Sequence, residues 1–195
     1  MIESILLWIL VILVSPFYAA VIGKVKAFFG GKKGPPLFIH YYTLIKLFQK
    51  GSVYSVSTTF VFRMGPMVSL SAILTALLFM PIAGRMPVLS FNGDVIFILY
   101  LLGLGRFFTI AAAMDTASPF EGMGAAREAF FPIFCEAAMF MILLLFVQLT
   151  GELRLAAYLT DSQPAGLWYA AGAPMLFAVV SLFIILLAEN SRVPV

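Results

Sequence analysis

Five long apolar runs constrain this 195-residue chain more than any other feature. They fall at roughly 4–23, 64–84, 95–114, 129–149 and 166–188, and a bilayer crossing needs about 20 such residues. Backbone N–H and C=O groups find no water inside lipid, so each run is expected as a helix. Composition agrees: 63% of residues are hydrophobic and 11% charged, too few charges to solvate a globular surface. The expected fold is an all-α membrane protein, one membrane domain over 1–195, with five transmembrane helices and one amphipathic interfacial helix. Glu3 stands where a secretory leader carries basic residues, and the first run continues past leader length, so this span is expected to remain. Pro16, Pro66, Pro81, Pro132 and Pro174 lie within the runs, and each frees the carbonyl four residues upstream.

The basic residues orient the bundle. Lys24, Lys26, Lys32, Lys33, Lys46, Lys50 and Arg63 fall between the first two spans, Arg127 between the third and fourth, and Arg192 after the fifth. Only Arg85 and Arg154 fall on the opposite side. The excess of positive charge marks the cytoplasmic face, which puts the N-terminus outside and the C-terminus in the cytoplasm. Within the first loop, Leu37, Tyr41, Leu44, Ile45 and Phe48 recur at helical spacing, while His40, Thr43 and Lys50 take another face. An amphipathic helix over about 36–50 is expected there, either a plain surface anchor or a wall for a cavity or partner. Lys32 and Lys33 read as topology determinants or headgroup contacts.

Two spans carry charge inside the lipid. An acid at the centre of a span costs about 2.5–3.5 kcal/mol, so such groups face the bundle interior or water. Glu136 lies about 10 Å into the fourth span and Arg106 about 13 Å into the third, both from the cytoplasmic side. An Arg side chain covers that difference, so the two are expected to pair; Asp115, nine residues from Arg106, falls on the far side of the same helix. The pair is either a packing device or a proton-carrying site. Asp115, Glu121, Glu128 and Glu189 map near the cytoplasmic ends of the third to fifth spans. Glu121, Glu128 and Glu136 nearly align if the intervening stretch is helical, and Pro132 adds the freed carbonyl of Glu128. A column of acids of this kind is expected to form a wet path.

Other chemistry finds no support. One cysteine, Cys135, excludes an internal disulfide and a cysteine-held iron–sulfur cluster, and one histidine, His40, excludes two-histidine haem ligation. No P-loop, Rossmann glycine pattern, zinc motif or nucleophile elbow occurs. No cofactor is expected in this chain, nor a nucleic-acid partner. A wet acidic stripe without a catalyst reads as one subunit of something larger.

Four segments carry a resemblance, in order along the chain: "GKKGPPLFIHYYTLIKLFQKG", "FRMGPMVSLSAILTALLFMPIAG", "SPFEGMGAAREAFFPIFCEAAM" and "LLAENSRVPV". Together they resemble the H-type subunit of complex I (mitochondrial subunit 1) and the membrane subunits of nickel–iron (NiFe) hydrogenases, including formate hydrogenlyase and hydrogenase-4. The third segment is closest to the hydrogenase-4-like branch. The resemblance implies a non-redox membrane subunit of the inner (plasma) membrane that docks a peripheral redox arm and couples electron transfer to proton or sodium translocation. It implies a hetero-oligomeric complex with hydrogenase-like large and small subunits, a ferredoxin-like iron–sulfur subunit and antiporter-like membrane subunits. Those partners would carry iron–sulfur clusters, with NiFe or quinone chemistry beside them.

By motif position Glu121, Arg127, Glu128, Glu136, Glu189 and Arg192 carry over; Asp115 joins the proton path and Arg106 the charge partners. Lys32, Lys33, His40 and Lys46 would contact the peripheral arm. Thr43 stands where the family has a loop acid, Lys50-Gly51 where it has Lys-Glu, and Phe38, Ile39 and His40 surround its Gln-Pro. The sequence stops at Val195, one residue before the last signature's Asp. Family members continue with further helices, which implies a split or truncated gene or completion by another chain. Two alternatives stand beside this reading: a quinone-site subunit of a dehydrogenase, and a stand-alone small transporter.

Overall fold

The computed structural model describes residues 2–160 and 164–190. All regular structure among them is helical: α1 (Ile2–Phe29), α2 (Ile39–Phe48), α3 (Phe60–Leu78), α4 (Asp94–Asp115), α5 (Pro119–Thr150), α6 (Leu155–Thr160) and α7 (Pro164–Asn190). Five of these, α1, α3, α4, α5 and α7, are long and apolar enough to cross a membrane. The chain divides into two compact units, residues 1–55 and 56–195.

In the first unit, α1 runs six residues past the expected end at 23 and takes Lys24 and Lys26 into the helix. Long lysine stems can lie along apolar surface while their ammonium groups reach water, so the helix need not stop at the first charge. It stops at a glycine turn instead. Gly31 has φ +65°, its N–H donates to Phe28 O at 3.1 Å, and the Lys32 N–H donates to Ala27 O at 2.9 Å. These two bonds satisfy carbonyls that the last helical turn leaves unpaired. The chain then returns along α1, where a Cβ on Gly34 would lie 3.1 Å from the Lys24 Cα. The amphipathic segment forms α2, shorter than expected because Pro36 lies in the preceding turn. The Tyr41 hydroxyl donates to Leu13 O at 2.6 Å and ties α2 to α1.

The second unit is built on α3 and α4. Many of the buried positions at their contact are small: Gly65, Ala72 and Ala76 on α3, Gly105 and Ala112 on α4. A Cβ on Gly65 would lie 2.7 Å from the Ala112 Cβ and 3.2 Å from Phe108 O, so the two backbones touch where the side chain is missing. Gly105 comes nearly as close to Ser69 and Ala72. Lipid supplies no hydrophobic drive for helix association, and small residues allow the close dispersion contact that replaces it. On α4 the buried residues Ile98, Gly105 and Ala112 recur every seventh position, the period of a helix seam.

In the second unit, α3, α5 and α7 also differ from the sequence reading. α3 ends at Leu78 rather than about 84, because Pro81 and the positive φ of Ala83 and Gly84 turn the chain. The stretch between the expected third and fourth spans is the start of α5, a 32-residue helix opened by Pro119. Proline suits a first helical position, and Gly122 and Gly124 cost about 1 kcal/mol each, which the surrounding helix formers offset. α7 is bent at Ala171 (φ −140°, ψ 36°), three residues before Pro174.

The α3–α4 contact gives a direct test. Gly65→Ala should destabilise the detergent-solubilised protein by about 1–3 kcal/mol through overpacking. Ala112→Gly should restore most of the lost thermal midpoint by removing the methyl group it strikes.

Candidate functional site

α4 and α5 are joined by only Thr116, Ala117 and Ser118, so they form an antiparallel hairpin. Arg106 comes from the middle of α4 and Glu136 from the middle of α5. The Arg106 Nη1 donates to Glu136 Oε1 at 3.1 Å. The two side chains are 24% and 47% exposed in the isolated chain, so this is not a sealed pair. Gly103 lies one turn from Arg106 on α4, and a Cβ there would be in ordinary contact, 3.7 Å, with Glu136 Oε1. Beside the pair a cleft of about 330 Å³ opens between the helices, lined by Leu99, Tyr100, Leu104, Phe107 and Phe140 as well as Gly103 and Glu136. The walls are apolar or aromatic and the one carboxylate is that of Glu136.

A straight helix of 32 residues is about 48 Å long, against a hydrocarbon thickness of about 30 Å. The surplus accommodates the charged N-terminal turns of α5. Glu121, Arg127 and Glu128 are all exposed there. Ideal helical geometry places Glu121, Glu128 and Glu136 within an arc of about 80°. Buried Ala125 and Pro132 share that side, so the acids flank the packed face of α5 rather than its opposite.

Asp115 has a different setting from the one expected. It reaches across to the start of α3, where the Thr59 N–H donates to Oδ2 at 2.7 Å and the Phe62 N–H donates to Oδ2 at 3.2 Å. The Thr59 hydroxyl donates to Oδ1 at 2.7 Å. A carboxylate here satisfies N–H groups that the first turn leaves unpaired and sits favourably at the positive end of the helix dipole.

The remaining expected residues are dispersed. Lys32 and Lys33 are exposed in the turn after α1, His40 is half-buried at the start of α2, and Lys46 is exposed in its last turn. The backbone of α7 includes Glu189, but the Glu189 side chain and all of Arg192 lie outside the described residues. Among the described residues no three His, Cys, Asp or Glu side chains converge as metal ligands.

Asp94, in the first turn of α4, is the one charged side chain among the described residues that is wholly buried. Its Oδ1 accepts the Leu155 N–H at 2.8 Å, and Oδ2 accepts the Ser90 hydroxyl at 3.4 Å. The sequence marks Asp94 only as an acid in a first helical turn; nothing local points to a partner 61 residues away.

Five helices long and apolar enough to cross a membrane, two of them joined by a charge pair at mid-helix, define a multi-pass membrane protein. The chain belongs to the NADH dehydrogenase family, whose pattern it matches over residues 2–195. It is 29% identical over 144 residues to hydrogenase-4 component C of Escherichia coli strain K12, covering 74% of this chain and 46% of that protein. It is 30% identical over 143 residues to formate hydrogenlyase subunit 4 of the same strain, covering 73% and 47%. The chain thus spans about half the length of these curated relatives. A chain of the archaeal membrane-bound sulfane sulfur reductase, a respiratory membrane complex, has the same fold, with a TM-score of 0.76 at 23% identity over 96% of this chain and 61% of that one.

The ion pair is testable by a double-mutant cycle. Arg106→Glu and Glu136→Arg should each lower the yield of folded protein, and the double swap should recover it, with a coupling of about 0.5–3 kcal/mol. A double variant no better than either single one would show that the contact carries no energy.

Proposed function

We propose that this chain is a non-redox membrane subunit of a complex I-like respiratory or hydrogenase assembly. It docks a peripheral redox arm and couples electron transfer there to translocation of protons or sodium ions. One observation carries the reading: the half-exposed Arg106–Glu136 pair, held at mid-helix beside an open cleft. A pair serving packing alone would gain from full enclosure, because exposure to lipid leaves its charge poorly compensated. An accessible carboxylate beside a cation can instead change protonation or exchange partners when a neighbouring element moves. The names of the relatives, components of hydrogenase and formate hydrogenlyase complexes, support the same assignment.

In this reading Glu121 and Glu128 lead toward Glu136 from the cytoplasmic end of α5, with Arg127 among them. Glu189 and Arg192 extend the set by motif position, and Asp115 fixes the α3–α4 end on which the path opens. Lys32, Lys33, His40 and Lys46 contribute to the docking face. The partners are hydrogenase-like large and small subunits, a ferredoxin-like iron–sulfur subunit and antiporter-like membrane subunits, in the inner (plasma) membrane with the N-terminus outside.

The assembled complex provides the test. Glu136→Gln should leave subunit composition and electron transfer to a soluble acceptor near normal while lowering ion movement per electron by at least about tenfold, the scale of losing one positioned proton carrier. Glu136→Asp should retain part of the coupling. Full coupling in the Gln variant, or purification of the chain without iron–sulfur partners, would overturn the proposal.

A further inference from the structure

The buried carboxylate of Asp94 has no part in that path, and its position calls for a separate account. α5 ends at Gly151, whose φ of +72° turns the chain back. The segment that follows forms α6, only six residues long. A helix this short is not stable alone, so other contacts must hold it. They come from both sides of the α4–α5 hairpin. On the α4 side, Asp94 accepts the Leu155 N–H at 2.8 Å, and the Gly93 N–H donates to Leu153 O at 3.3 Å. On the α5 side, the Tyr158 ring lies 5.4 Å from that of Phe146; within the segment itself, the Tyr158 hydroxyl donates to Glu152 O. Leu155 packs onto the core of Ala76, Phe79 and Ile98, and Ala156 is buried. Phe79, Phe91 and Phe97 meet edge-on around the same end, with centroids 5.3–5.7 Å apart.

α6 therefore bridges the ends of α4 and α5, across the hairpin whose cleft holds Glu136. Asp94 and Arg106 are twelve residues apart on α4, about 18 Å along the axis. Between those levels the Tyr100 and Phe140 rings come within 6.2 Å across the two helices. The two ends of the hairpin differ sharply. One holds the buried Asp94 carboxylate under an aromatic cluster; the other carries the exposed Glu121, Arg127 and Glu128.

We propose that α6, with the Glu152–Arg154 approach to it, is a lid that Asp94 latches over the end of the α3–α4 core, where Leu155 packs on Ala76, Phe79 and Ile98. The latch excludes water from the α6 side. Burying an aspartate is costly unless donors compensate it, and the Leu155 N–H is the donor that an open lid would withdraw. Asp94 is thus a positioning residue, acting through α6 rather than on any transported ion.

The test uses the assembled complex in membrane vesicles, with Cys135→Ser and a reporter Ile98→Cys beneath Leu155. A membrane-impermeant maleimide is added from the face that carries α6. With Asp94 present the reporter should stay protected. Asp94→Ala should raise the labelling rate by at least about tenfold, the scale of a lost hydrogen bond to a charged group. Asp94→Asn keeps an oxygen for the Leu155 N–H and should stay within about twofold of the parent. Leu155→Pro deletes the donor at a position where proline fits a helix, and it should open the lid even if Asp94→Ala fails to assemble. Protection equal to the parent in both opening variants would overturn the lid.

Discussion

Lipid offers no hydrogen-bond partner, and that condition organises everything else in this chain. It forces the backbone into helices and leaves each helix end with unpaired groups that need a neighbour. It also removes the hydrophobic reward for packing one helix on another, so contact must come from shape. α3 and α4 meet through missing side chains: Gly65 against Ala112, Gly105 against Ser69 and Ala72. That close seam holds α4 in place, and α4 carries the polar features on which the functional reading stands.

Three charges on α4 divide its length into tasks. Asp115 at one end closes the start of α3, and Asp94 at the other holds the start of α6. Both carboxylates accept N–H groups from the first turn of another helix, as the dipole of that helix favours. Arg106 lies between them and turns to α5, where Glu136 answers it. Two acids thus anchor the helix to its surroundings, and the basic residue faces a cleft where a partner could be exchanged. The contrast lies in enclosure: Asp94 is fully buried, while Glu136 is nearly half exposed in the isolated chain.

Much of this was legible in the linear sequence, for reasons that can be named. Span positions follow from length and hydropathy, which average over many residues and tolerate local error. The Arg106–Glu136 contact followed from depth, since two isolated opposite charges at similar depth in lipid have few other partners. Helix ends were harder. The start of α5 looked like a loop because Gly122 and Gly124 weaken a helix locally, yet Pro119 and the long run beyond them outweigh that cost. α3 ended early because backbone turns at Ala83 and Gly84 override apolar composition. The roles of Asp94 and Asp115 were not legible, because their donors lie 61 and 56 residues away.

The sequence by itself determined the solvent, the number of spans and the presence of charge that lipid could not leave alone. These are properties of single segments, fixed by the transfer energy of side chains and by the reach of a helix. Only the tertiary structure decided which acid serves as an anchor and which stands open. A carboxylate's role depends on the donors that surround it, and here those donors are backbone N–H groups from distant helices, which every residue but proline carries and no sequence pattern advertises.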